Sequence, residues 1–170
     1  SYSKTDVETD VRGGVFTACN NYSNIENSFA IGEVIGRTGV GGFSGRNVAT
    51  TISKSYSSAK VTGTTSVGAF IGEFVGNNAN NEVKDSFFDT DVSGVTDAIG
   101  TYSSADSTQA ATLNGISTSR MTTPSMFASA RWRTDAWYFV VAGKVVLNSV
   151  GSYYSATPDQ WSTLLGCATA

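Results

Sequence analysis

Asp89 and Asp91 flank Thr90, and on one extended strand the period of two would turn both carboxylates to the same side. Such a pair is what acid–base hydrolysis of a glycosidic bond, or a Ca²⁺ site, would need. The equivalents of Asp91 in the repeat described below are Asp6, Glu33 and Lys60, so that position tolerates either sign. A solvated face is therefore the first reading, Ca²⁺ the second and catalysis the third, and a β-helix polysaccharide lyase would call for a stronger charged cluster. A second candidate is the thiol pair. Cys19 and Cys167 are the only cysteines, and an even count in an oxidising compartment favours a bridge from the tail to the first coil, the alternative being free or intermolecular thiols. Asn21-Tyr22-Ser23 matches a glycosylation sequon, a short pattern of little weight. Trp132, Trp137 and Trp161 all fall in the C-terminal third, as core filler first and as a glycan contact second.

Much other chemistry is absent. The chain has no His, which removes a Ser-His-Asp triad, a Cys-His pair, a His metal site and a His pH switch. Eleven basic residues against 14 acidic ones, for a net charge of −3, leave no electrostatic footprint for nucleic acid. No apolar run approaches the roughly 18 residues of a membrane span. The first residue is Ser1 and no charged-then-apolar leader follows, so a mature, processed or cut chain is expected. With 23 Ser, 21 Thr and 18 Gly against 2 Pro, and with 15% charged and 11% aromatic residues, the composition is that of a β-rich secreted domain.

The elements that would position these residues come from a repeat. Ser1-Tyr2-Ser3, Ser28-Phe29-Ala30, Ser55-Tyr56-Ser57 and Ser86-Phe87-Phe88 recur at steps of 27, 27 and 31 residues. The same steps align Val7, Val34, Val61 and Val92, then Phe16, Phe43 and Phe70, then Ile25, Ile52 and Val83. Small residues follow in Gly14, Gly41 and Gly68, in Ala18, Gly45 and Gly72, and in Gly36, Gly63 and Gly94. The four extra residues lie in Asn77-Asn78-Ala79-Asn80-Asn81, which reads as a loop bulging from a corner. A 27-residue period rich in β-branched and aromatic residues describes one coil of a parallel β-solenoid, in which each repeated position becomes a stripe of stacked side chains. Gly at fixed steps then marks corners of positive φ or close backbone approach.

One stripe is ambiguous. On an unbroken strand over residues 28 to 34, Phe29, Ile31 and Glu33 share a face opposite Ala30 and Val34. Tyr2, Phe29, Tyr56 and Phe87 would then form an exposed platform on which sugar rings could stack. The competing reading is a bend near Gly32 that returns the rings to the core, where large apolar side chains usually lie.

Val40-Gly41-Gly42-Phe43-Ser44-Gly45 followed by Thr51 to Gly63, with Val67-Gly68-Ala69-Phe70-Ile71-Gly72 as a second copy and Gly13 to Ala18 as a degenerate third, resembles the GLUG-motif repeat of large secreted bacterial surface proteins, including filamentous-haemagglutinin-like adhesins. Asp85 to Gly94 is similar to the segment that closes such arrays, with Phe88 where a Trp is usual. Gly115 to Met121 and Pro124 to Trp132 look like the helical terminator that comes next. The resemblance covers roughly residues 1 to 147 and implies a right-handed parallel β-helix at a bacterial cell surface, naming neither ligand nor reaction.

After the repeats, Val95 to Asn114 lacks a period and reads as a long loop. Thr123-Pro124 opens a short helix carrying Met126, Phe127 and Ala130. Trp137 to Val141 and Lys144 to Leu147 form a hairpin about Ala142-Gly143, and a last helix runs from Pro158 to Leu165. The expected architecture is all-β, with solenoid repeats over 1–94 and a small C-terminal α/β cap with a tail over 95–170. An open solenoid end exposes strand edges and an apolar cross-section, so the cap is expected to cover one. The expected action is binding or spacing without chemistry and without cofactor, outside the cell. Its partners would be a host or neighbouring-cell surface protein or glycan, or copies of itself. The competing expectations are a filament subunit stacked head to tail and a glycan-binding or glycan-cleaving β-helix.

Overall fold

The computed structural model describes residues 1–75, 81–102, 112–122, 124–132, 137–138 and 146–147. The first coil contains β1 (Tyr2–Glu8), β2 (Gly13–Gly14), β3 (Thr17–Asn21) and β4 (Asn24–Glu26). The second repeats this as β5 (Phe29–Ile35), β6 (Thr38–Gly41), β7 (Ser44–Val48) and β8 (Thr51–Ser53). The third follows as β9 (Tyr56–Thr62), β10 (Thr65–Gly68), β11 (Ile71–Val75) and β12 (Glu82–Lys84). The fourth opens with β13 (Ser86–Asp89), turns through α1 (Thr90–Ser93) and continues as β14 (Ile99–Tyr102), after which β15 (Leu113–Ile116) opens the next coil beside β13.

These strands stack into a parallel β-solenoid of about four turns. Its long wall has the order β1-β5-β9-β13-β15, and three further walls are β2-β6-β10, β3-β7-β11-β14 and β4-β8-β12. The register follows the repeat, with Val7 opposite Val34 and Val34 opposite Val61, and with Ile25 and Val83 on either side of Ile52. Phe43 lies between Phe16 and Phe70, with ring centroids 4.6 and 4.8 Å apart and nearly parallel planes. Parallel pairing sets that distance, because identical side chains recur at the strand spacing of ~4.8 Å. Val34, Phe43, Ile52 and Phe70 are fully buried, Val61 and Val83 nearly so, while Val7, Phe16 and Ile25 of the first coil are partly buried against the same core.

Polar columns are built the same way. The Ser28 and Ser55 N–H groups donate to Ser55 and Ser86 Oγ at 3.2 Å, and each hydroxyl donates to the carbonyl two residues back. Inside the wall, Asn20 Nδ2 donates to Asn47 Oδ1 at 2.9 Å and to Ser44 Oγ at 3.1 Å. The Gly14, Gly41, Gly68 column serves close approach: a Cβ on Gly41 would meet the Ser44 carbonyl and the backbone of Gly72. Positive φ at the corners falls largely on other residues, among them Asn27, Lys54 and Asp85, which occupy one column.

Three expectations change. Val92 leaves the valine ladder, because Asp89 ends β13 by capping α1 and puts Val92 in a helix, where it is half-buried. The sheets run past residue 94, since β14 joins the β11 wall and β15 pairs with β13, so part of the expected loop is solenoid. Past the solenoid come a 3-10 turn (Arg120–Thr122), α2 (Pro124–Ser129) and an antiparallel pair, β16 (Trp137–Tyr138) with β17 (Val146–Leu147). The third change is that the 3-10 turn and α2 region packs on the outside of the long wall, the expectation having been a plug for a solenoid end. The expected helix over 158–165 lies outside the described residues.

Candidate functional site

The outer face of the long wall gathers most of the residues singled out above. β5 runs unbroken through Gly32, so alternation is strict: Ala30 and Val34 enter the core, while Phe29 and Ile31 join a second, outer cluster. The rings of Tyr2, Phe29 and Tyr56 stack in sequence at 5.3 and 5.2 Å. Neither expected arrangement of the ladder holds, because the rings point outward and are then covered by their own chain. Met121, Phe127 and Trp132 close over Phe29, Tyr56 and Phe87, which are at most 4% exposed. Trp132 sits 5.7 Å from Phe87 and 4.8 Å from Phe127, and its indole Nε1 donates to the Asp85 carbonyl at 2.6 Å. Apolar area explains the choice, since four large rings on a solvated wall would leave a greasy stripe that a short amphipathic helix can remove. Of the four ladder residues, Tyr2 alone is open to solvent, at 37% exposure. A sugar platform would therefore rest on one ring. Burial also pushes the Tyr56 hydroxyl far above the ordinary phenol range.

The two aspartates serve the backbone. Asp89 is fully buried. Its Oδ1 accepts from the N–H groups of Asp91 and Val92, at 3.1 and 3.3 Å, and caps α1. The Thr118 hydroxyl, 2.8 Å from both oxygens, and Ser58 Oγ, 3.1 Å from Oδ2, occupy the rest of the carboxylate. Asp91 stands in the first turn of α1, exposed, and accepts from Thr118 N–H at 2.9 Å. The two therefore do not share a strand face, because the strand stops between them. Among the described residues, no three His, Cys, Asp or Glu side chains are grouped to hold a metal ion.

Elsewhere the charged columns pair across coils. Lys60 Nζ lies 2.8 Å from Glu33 Oε1, and that hydrogen bond raises the ammonium pKa. Arg12 Nε sits 3.0 Å from Glu73 Oε2 and Arg46 Nε 3.6 Å from it. Cys19 is opposite Arg46 in the register and exposed, while Cys167 lies outside the described residues, as does Trp161. In the sequon, Ser23 Oγ bonds to the Asn21 carbonyl and Tyr22 is exposed. Trp132 is the core filler expected of it, and Trp137 lies in β16.

Thr118, Ser58, Met121 and Arg120 were not anticipated. Thr118 follows Asp91 by 27 residues and Ser58 precedes Asp89 by 31, so extending the repeat steps would have reached both. No family model, curated protein or solved structure matches the chain.

Proposed function

We propose that the chain is a non-catalytic module of a secreted bacterial surface protein, an adhesin or a structural spacer, that acts through the outside of its solenoid. The observation that carries this reading is the fate of the strongest candidate for hydrolysis: Asp89 is buried and committed to hydrogen bonds that cap α1 and join three coils. The GLUG-like residues support a surface location, and the in-register ladders support a stiff element whose length scales with coil number.

The test is adherence. Fluorescently labelled chain is titrated onto host epithelial and bacterial cells and onto arrayed glycans, with sugar release assayed in parallel. Saturable attachment to a cell or glycan surface without new reducing ends is the expected result for an adhesin. Release of reducing sugar in proportion to added chain, lost on Asp91→Asn, would replace this reading with a glycan-cleaving one.

A further inference from the structure

Sheet order makes β15 the last strand of the long wall, bonded to β13 on one side and to no described strand on the other. A cleft of about 430 Å³ runs beside it, with Asn114 and Ile116 on the strand side, Met126 of α2 on the other and Phe87 beneath. Its ends carry opposite charge. Asp85 stands where β15 begins, its N–H bonded to Thr112 Oγ1 at 2.9 Å, and Arg120 follows the turn after β15, its N–H bonded to the Ser117 carbonyl at 2.9 Å. Both line the cleft, and among the described residues neither side chain has an ionic partner.

We propose that this cleft binds an extended peptide by strand addition to β15, the guest carrying an apolar residue at its centre and opposite charges at its ends. An edge strand offers a row of unpaired N–H and C=O groups, which gives a guest strand its main-chain bonds. The side-chain selection comes from what flanks the edge. Met126, half-buried above a floor of the nearly buried Phe87 and Ile116, offers contact to one apolar side chain, Asp85 favours a guest Lys or Arg, and Arg120 a guest Asp or Glu. Four residues of β15 span about 13 Å, so the guest charges stand about four residues apart and, by strand parity, on one side. The inference goes beyond the surface-module reading and fails separately from it: a chain that adheres to cells and ignores the peptides keeps the first and loses the second.

Fluorescence anisotropy with the 170-residue chain tests it. The probes are blocked seven-residue Thr peptides with a central Val, one with Lys second and Glu sixth, one with the two exchanged, and one with Lys at both places. One of the two mixed-charge peptides should bind with a Kd of roughly micromolar to tens of micromolar, at least ~10-fold tighter than the other, a difference of about 1.4 kcal/mol. Arg120→Glu should abolish that preference and make the doubly basic peptide the tightest. Should that variant fold poorly by circular dichroism, the milder Arg120→Gln must still reduce the preference. Equal affinity for both orders, no binding at about millimolar peptide, or a preference unchanged in the Arg120 variants overturns the proposal. Concentration-dependent dimerisation without peptide, lost in Arg120→Glu, would give the cleft to a second copy and overturn it too.

Discussion

Asp89 joins three pieces of chain with one carboxylate, so its loss should be felt well beyond the helix it caps. Removing an N-cap costs ~1 kcal/mol, and losing the carboxylate's hydrogen bonds from the Ser58 and Thr118 hydroxyls adds about 1–3 kcal/mol. Asp89→Ala should therefore lower stability by about 2–4 kcal/mol in urea melts, against less than ~1 kcal/mol for the exposed Asp91→Ala. Near-equal losses would return the two residues to a common role. Tyr56 governs the alkaline limit. Its folded pKa is raised above the unfolded value near 10, so the unfolded chain releases a proton that the folded chain keeps. That stability is fully present below about pH 10 and declines above it, by about 1 kcal/mol per pH unit. Tyr56→Phe should flatten the fall in urea midpoint between pH 9.5 and 11, and a slope unchanged in the variant would show that the burial of Tyr56 does not control it.

At the level of elements, the walls stand on ladders, and Phe43 is the middle rung of one. Phe43→Ala should cost about 3–5 kcal/mol, as emptying an aromatic core site does, read from denaturant melts. A loss below ~1 kcal/mol would take the ring out of the core. The covering elements fail differently. Trp132→Ala removes the indole bond to Asp85 and the ring over Tyr56, so it should increase binding of an apolar dye while the far-ultraviolet circular dichroism of the solenoid persists. The same contrast explains what could be read from the residues alone. The first three coils were legible because Val stacks on Val and Phe on Phe, so position and type repeat together. β15 keeps the 27-residue step, with Leu113 opposite Ser86 and Asn114 opposite Phe87, but changes every side chain, and a search by type loses it. Val92 shows the reverse, a matching type at a matching step that Asp89 diverts into a helix. The cover of the aromatic ladder was illegible because Met121, Phe127 and Trp132 pack across the repeat and do not belong to it.

For the molecule as a whole, protection against hydrogen exchange should follow pairing. Among the described strands, β5 and β9 have partners on both sides and β1 on one, so amides of β5 and β9 should exchange more slowly than those of β1. Equal rates would mean that β1 is covered in solution. The corner between β11 and β12 has a different consequence. Val75 faces Val48 and Glu82 faces Thr51, so seven steps of chain answer three on the neighbouring coil. The walls nevertheless resume in register, with Asn81 buried and bonded to the Val75 carbonyl and the Thr50 N–H. Stacking here depends on which backbone groups meet and is indifferent to how many residues separate them. Each doubling of the chain length that a closure spans costs only about 0.6 kcal/mol, so eight Gly-Ser residues inserted between Val75 and Asn81 should leave the melting temperature within a few degrees of its original value. The height of the molecule and the length of its chain are thus separate variables, and this corner is a socket where a foreign epitope can be mounted without rebuilding the tower behind it.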